Sequence, residues 1–122
     1  MKYILNLSFI LLFLASACAQ NNQSQNDNFK TVTQEEFKKE LQEDVQLIDV
    51  RTPEEFAAGH IAGAINIDFH NNFENEIQKI DLTKKTLIYC QSGGRSTKAL
   101  EMMKSMGFPA VYELEGGYFG WK

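Results

Sequence analysis

The residues with the clearest chemical potential are Cys90-Gln91-Ser92-Gly93-Gly94-Arg95-Ser96, which follow the apolar run Thr86-Leu87-Ile88-Tyr89. That order predicts a thiol at the carboxyl end of a buried strand, beneath the start of a helix opened by Arg95. Backbone N–H groups point inward at such a turn, and the helix dipole adds partial positive charge. A cradle of this kind lowers a thiol pKa from its unperturbed value of about 8.5 and holds an anion above the sulfur. Gly93 and Gly94 allow the tight curl because neither has a Cβ to clash. A cysteine at a strand end is ordinarily a small buried hydrophobe. The attached Gly-Gly-Arg-Ser makes Cys90 a candidate nucleophile instead.

Further ionisable residues surround this loop in the sequence. Arg95 has two possible jobs: to bind an anionic donor over the pocket, or to fold back and brace the loop against an acid such as Asp49. Arg51 and Glu55 lie four apart across a helix start, a spacing that predicts an ion pair between them. Asp49, Arg51 and Glu55 are therefore candidate supports of the loop. His60 falls in a turn before a strand, and His70 in a polar stretch beside Asn71 and Asn72, so neither is assigned a role. No His or Cys cluster has metal-ligand spacing, and no cofactor is expected.

The elements that must position these groups alternate between strand and helix, which argues for a parallel α/β sheet. Strands are predicted at residues 29–32, 45–50, 64–67, 86–89 and 110–114. Thr33, with Glu36 three residues on, caps a helix that presents Phe37 and Leu41 on one face. Thr52-Pro53-Glu54-Glu55 combines a Thr cap, a first-turn proline and a capping-box glutamate, and Gly59 closes that helix. A loosely patterned helix is expected over residues 71–80. The helix over residues 95–106 spaces Ala99, Leu100, Met103 and Met106 as a core stripe, and Gly107 and Pro109 end it. Gly116-Gly117 turns into a terminal helical stub that ends at Trp121. In such sheets ligands sit outside the carboxyl ends of the strands, where Asp49 and Cys90 both fall.

Length and charge bound the rest. The 122 residues allow one domain, and a net charge of −4 with no basic patch argues against nucleic acid as a partner. Two cysteines make no disulfide framework. Residues 1–17 read as an export signal: Lys2, a mostly apolar stretch through Leu14, then Ala15-Ser16-Ala17-Cys18. The apolar stretch is shorter than the roughly 20 residues of a membrane-spanning helix. The segment resembles a bacterial lipoprotein signal, which implies lipidation of Cys18 and a membrane anchor in the cell envelope facing the periplasm. Ala15 stands where that pattern usually has Leu, so ordinary cleavage and secretion is the alternative. Residues 20–28 carry no apolar side chain and read, with Cys18, as a solvated tether over 18–28.

Three motifs together resemble the rhodanese family across residues 29–122. The first is Leu47-Ile48-Asp49-Val50-Arg51-Thr52-Pro53-Glu54-Glu55-Phe56 with Gly59-His60-Ile61-Ala62-Gly63-Ala64-Ile65-Asn66-Ile67. The second is the Cys90 to Ser96 loop, and the third is Leu114-Glu115-Gly116-Gly117-Tyr118-Phe119-Gly120-Trp121. The resemblance implies a three-layer α/β fold, a five-stranded parallel sheet with helices on both faces. It also implies a monomeric sulfurtransferase in which Cys90 takes a sulfane sulfur from a donor such as thiosulfate or a persulfide. A thiol or cyanide acceptor then receives it, and Gln91 to Ser96 form the substrate-binding loop.

Two other classes compete. A cysteine phosphatase or arsenate reductase also uses a Cys-to-Arg anion loop, but only four residues separate Cys90 from Arg95, one fewer than in the tyrosine phosphatase signature. No aspartate on an evident mobile loop is available to protonate a leaving alcohol. A non-catalytic or persulfide-carrier module binding an envelope partner would share the fold, although modules of that sort often lack the loop cysteine.

Overall fold

The computed structural model describes residues 27–122, so the expected signal, the lipidated Cys18 and most of the tether lie outside the described residues. Five parallel strands, β1 (Phe29–Val32), β2 (Gln46–Asp49), β3 (Ile65–Asn66), β4 (Thr86–Tyr89) and β5 (Val111–Leu114), form one sheet in the order β1-β5-β4-β2-β3. The helices are α1 (Gln34–Glu40), α2 (Pro53–Ala58), α3 (Phe73–Ile77) and α4 (Gly94–Ser105), and a 3-10 turn (Tyr118–Gly120) closes the chain.

β4 lies at the centre, paired with β2 on one side and β5 on the other, and all four of its residues are buried. A parallel strand covered on both faces must be apolar on both, and alternate residues divide between two cores. Ile88 and Cys90 join Val50, Phe73, Ile77, Ala99, Leu100 and Met103 beneath α3 and α4. Leu87 and Tyr89 face the other way, with Phe37 of α1, Ile61, Tyr112 and Leu114. Trp121 meets Phe37 edge to face at 6.0 Å, seating the final turn on that second core.

Both expected helix caps are present. Thr33 Oγ1 accepts from Glu36 N–H, and Thr52 with Glu55 forms a complete reciprocal capping box. β2 and β3 are shorter than their apolar runs, and α3 covers only five of the ten residues its pattern suggested. After Ile77, the N–H groups of Lys79 and Ile80 reach back to the carbonyls of Glu76 and Ile77, tight turns that end the α-helical ladder. Met106 is half-buried at the edge of the methionine stripe, whereas Met103 is wholly enclosed. The terminal stub is 3-10 rather than α.

Candidate active site

Cys90 sits one residue past β4, with α4 starting four residues later. Gly93, at φ 112°, is the N-cap of α4 and supplies no side-chain cap, so the first-turn N–H groups stay available to another acceptor. The sulfur takes that place. Gly93 N–H donates to Cys90 Sγ at 3.0 Å, and the thiol meets Ser96 Oγ at 3.3 Å. Burial alone would push the thiol pKa up, since Cys90 is only 1% exposed. Hydrogen bonding with the Ser96 hydroxyl and from the N–H groups of Ser96, Gly93 and Ser92 outweighs it and holds the pKa below the ordinary thiol range. The site therefore gives up the thiol proton more readily than a free cysteine does.

The arginines are paired differently from the sequence expectation. Arg51 does not pair with Glu55; it doubles back on Asp49, with Nε at 3.0 and 3.1 Å from the two carboxylate oxygens and Nη2 at 2.7 Å. The chain turns immediately after β2, and Arg51 N–H also donates to Asp49 Oδ1, so the nearer acid captures the guanidinium. The same group reaches Gly59 O at 2.7 Å and Gln91 Oε1 at 3.1 Å, and it lies over the Tyr118 ring at 4.3 Å. Arg51 and Asp49 are both buried, so this pair ties the end of β2 to the end of α2 and to the loop. Arg95 does fold back on an acid, but the acid is Glu55 rather than Asp49. Two bonds of 2.6 and 3.0 Å join them, and they hold the Glu55 carboxyl at about 2.

The remaining loop residues have distinct settings. Gln91 is drawn in through its amide oxygen, Ser92 and Gly94 are exposed, and Ser96 is fully buried. His60 lies on the surface, stacked on Phe56 at 3.7 Å with Nδ1 donating to Phe56 O, and so is used locally.

Four residues that matter here carried no assigned site role in the sequence. Tyr118 N–H donates to Cys90 O at 2.8 Å and Phe119 N–H to Gln91 O at 3.0 Å, so the closing turn grips the loop by its backbone. Gly117 makes that approach possible: a Cβ there would lie 2.6 Å from Cys90 O and from the Gln91 carbonyl. Glu113, on β5, accepts from Ser96 Oγ at 2.6 Å. The signal for Glu113 was present as a charge within an otherwise buried strand, Val-Tyr-Glu-Leu.

Comparison with known proteins agrees with this fold. The Rhodanese-like domain pattern matches residues 33–122. Bacillus subtilis YqhL is 36% identical over 118 residues, 97% of this chain and 88% of that protein. The thiosulfate sulfurtransferase GlpE of Pseudomonas entomophila is 34% identical over 94 residues, covering 77% of this chain and 85% of GlpE. Among solved structures, a rhodanese-like domain protein from Staphylococcus aureus superposes with a TM-score of 0.68 at 32% identity, over 76% of this chain and 91% of the other. The human single-domain sulfurtransferase TSTD1 gives 0.64 at 30% identity, over 75% and 93%.

Proposed function

The chain belongs to the rhodanese-like domain family, and from that premise we propose that it moves a sulfane sulfur through a persulfide on Cys90. The Cys90 thiolate attacks the outer sulfur of a donor such as thiosulfate. A new S–S bond forms as the donor S–S bond breaks, and sulfite leaves with the electron pair. The terminal persulfide sulfur carries the negative charge, and the amides of the 91–96 turn stabilise it, each charge-assisted bond contributing about 1.5–3 kcal/mol. A thiol or cyanide acceptor then attacks the terminal sulfur, and Cys90 departs as thiolate. The observation that carries this reading is the sulfur held by Gly93 N–H and Ser96 Oγ at the uncapped start of α4.

The test is the intact mass of residues 27–122 after incubation with thiosulfate, beside Cys90→Ser. A gain of one sulfur atom on the wild type alone, discharged by cyanide or thiol, is the expected result. No gain on a domain whose thiol still alkylates removes thiosulfate as donor and favours the carrier or partner-binding role. The Ala15 to Cys18 segment supports a second part of the proposal, a lipid anchor at Cys18 that holds the domain in the cell envelope. Loss of labelled fatty acid in Cys18→Ser tests it.

A further inference from the structure

Glu113 is a buried acid without an ion-pair partner among the described residues. It lies on β5 opposite Thr31 of β1 and Ile88 of β4, on the side covered by α4, and is 3% exposed. Its oxygens accept only from neutral hydroxyls: Thr31 at 2.8 Å, Ser96 at 2.6 Å, and Thr97 at 3.0 and 3.1 Å. The charged side chains of α4 point elsewhere. Arg95 is held by Glu55, Lys98 and Glu101 are exposed, and Lys104 lies against the Phe29 ring. Lys30 of β1, on the other face, lies over the Tyr112 ring. Among the described residues, the one titratable group linked to Glu113 is Cys90, through Ser96.

A buried carboxylate is an expensive way to satisfy three hydroxyls, because desolvating its charge costs more than desolvating an amide of the same shape. A carboxylate adds two things over an amide: a second acceptor oxygen, used here by Thr31 and Thr97, and the ability to take a proton. The Ser96 hydroxyl has two acceptors, Glu113 Oε2 at 2.6 Å and Gly93 O at 3.3 Å, and the shorter bond is to the acid. That leaves the Ser96 oxygen facing the Cys90 thiol, which donates to it at 3.3 Å.

We propose that Glu113 is the proton acceptor for Cys90, acting through the Ser96 hydroxyl. The thiol proton passes to Ser96 Oγ as the Ser96 proton passes to Glu113 Oε2. One S–H bond and one O–H bond break, two O–H bonds form, and no electron is gained or lost. Afterwards the Glu113 carboxyl donates to Ser96, and Ser96 donates to the thiolate. The same contacts thus serve both protonation states. When Cys90 leaves as thiolate at the end of a transfer, the proton returns by the reverse path. Glu113 is a positioning residue in this scheme, since it touches the sulfur only through Ser96. The inference rests on Cys90 being the nucleophile proposed above, yet its test needs no sulfur donor.

The test is iodoacetamide alkylation of Cys90 against pH in the full chain, read on the Cys90 peptide by mass spectrometry for wild type, E113Q, S96A and the double variant. Gln keeps the shape and can still accept from Ser96, but it cannot bind the proton. E113Q is expected to react about tenfold more slowly at neutral pH, because the thiol proton loses its acceptor. S96A is expected to do the same, and the double variant to be no slower than S96A. A faster E113Q would mean that Glu113 is only a nearby negative charge and overturns the proposal. So would an unchanged pH profile in either single variant, even with a lower melting temperature. Should E113Q fail to fold, an unchanged rate and pH profile in S96A still overturns the relay, because the proton cannot bypass Ser96. Failure of thiosulfate loading alongside the expected slowing of both single variants would count against thiosulfate as donor and leave this inference standing.

Discussion

Glu55 and Arg95, separated by forty residues, hold each other through two parallel N–H···O bonds of 2.6 and 3.0 Å. Glu55 is simultaneously the capping-box residue of α2, so one carboxylate starts one helix and restrains the first turn of another. The loop arginine is thereby already neutralised before any donor arrives.

That bond has a pH signature. The Glu55 carboxyl is lowered from 4.5 to about 2, chiefly by its bond to Arg95, so its stabilisation is fully present above 4.5 and is lost as pH falls toward about 2. The pair is partly exposed, which limits its contribution to about 1 kcal/mol or less. Melting temperature followed from neutral pH into this window should fall further in wild type than in Glu55→Gln. Matching acid profiles for the two proteins would show that the pair contributes nothing.

Gly117→Ala should be among the most damaging single-atom-scale changes. The residue has φ 61° and ψ −163°, a region open essentially to glycine, and the added methyl would meet the Gln91 carbonyl at 2.6 Å. Strain and overlap together predict a loss of about 2 kcal/mol or more. Chemical denaturation measures it. Sulfur loading at Cys90 should drop even where the protein remains folded.

Arg51→Met removes the cation and leaves Asp49 buried and uncompensated. The expected cost is about 3–5 kcal/mol, well above that of the Glu55 variant, because solvent cannot replace the missing partner. Asp49→Asn in the same background should recover part of the loss. A cost under 1 kcal/mol in urea titrations would show that Asp49 finds another donor.

Tyr89→Phe deletes the hydroxyl that accepts from the Ile61 N–H at 3.0 Å. Both groups are buried, so the orphaned amide should cost about 1–3 kcal/mol. Faster hydrogen exchange at Ile61 than at its neighbours would locate the effect.

Strand order along the chain, the strand 86–89 and both helix caps were legible in the sequence, because each rests on local chemistry: unbroken apolar runs, capping oxygens and stop glycines. Partner choice among the charges was not. Arg51 sees Asp49 two residues before it and Glu55 four after it, and only the turn following β2 decides for Asp49. Arg95 and Glu55 meet because the carboxyl ends of adjacent strands converge, which spacing does not encode. The closing turn was recognisable as Gly116-Gly117, but its grip on Cys90 and Gln91 depends on contacts made in space. Glu113 was visible as an anomaly in β5 without an indication of which hydroxyls it would meet.

The closing turn also carries the sole tryptophan of the 122 residues. Tyr118 and Phe119 hang from the carbonyls of Cys90 and Gln91, and two residues later the Trp121 ring rests on Phe37. Any widening of the sulfur cradle therefore pulls on the seat of the indole, on the opposite face of the sheet from the sulfur. If a sulfur loaded on Cys90 widens that cradle, Trp121 emission should shift with it, an intrinsic fluorescent readout of the proposed reaction without an added label.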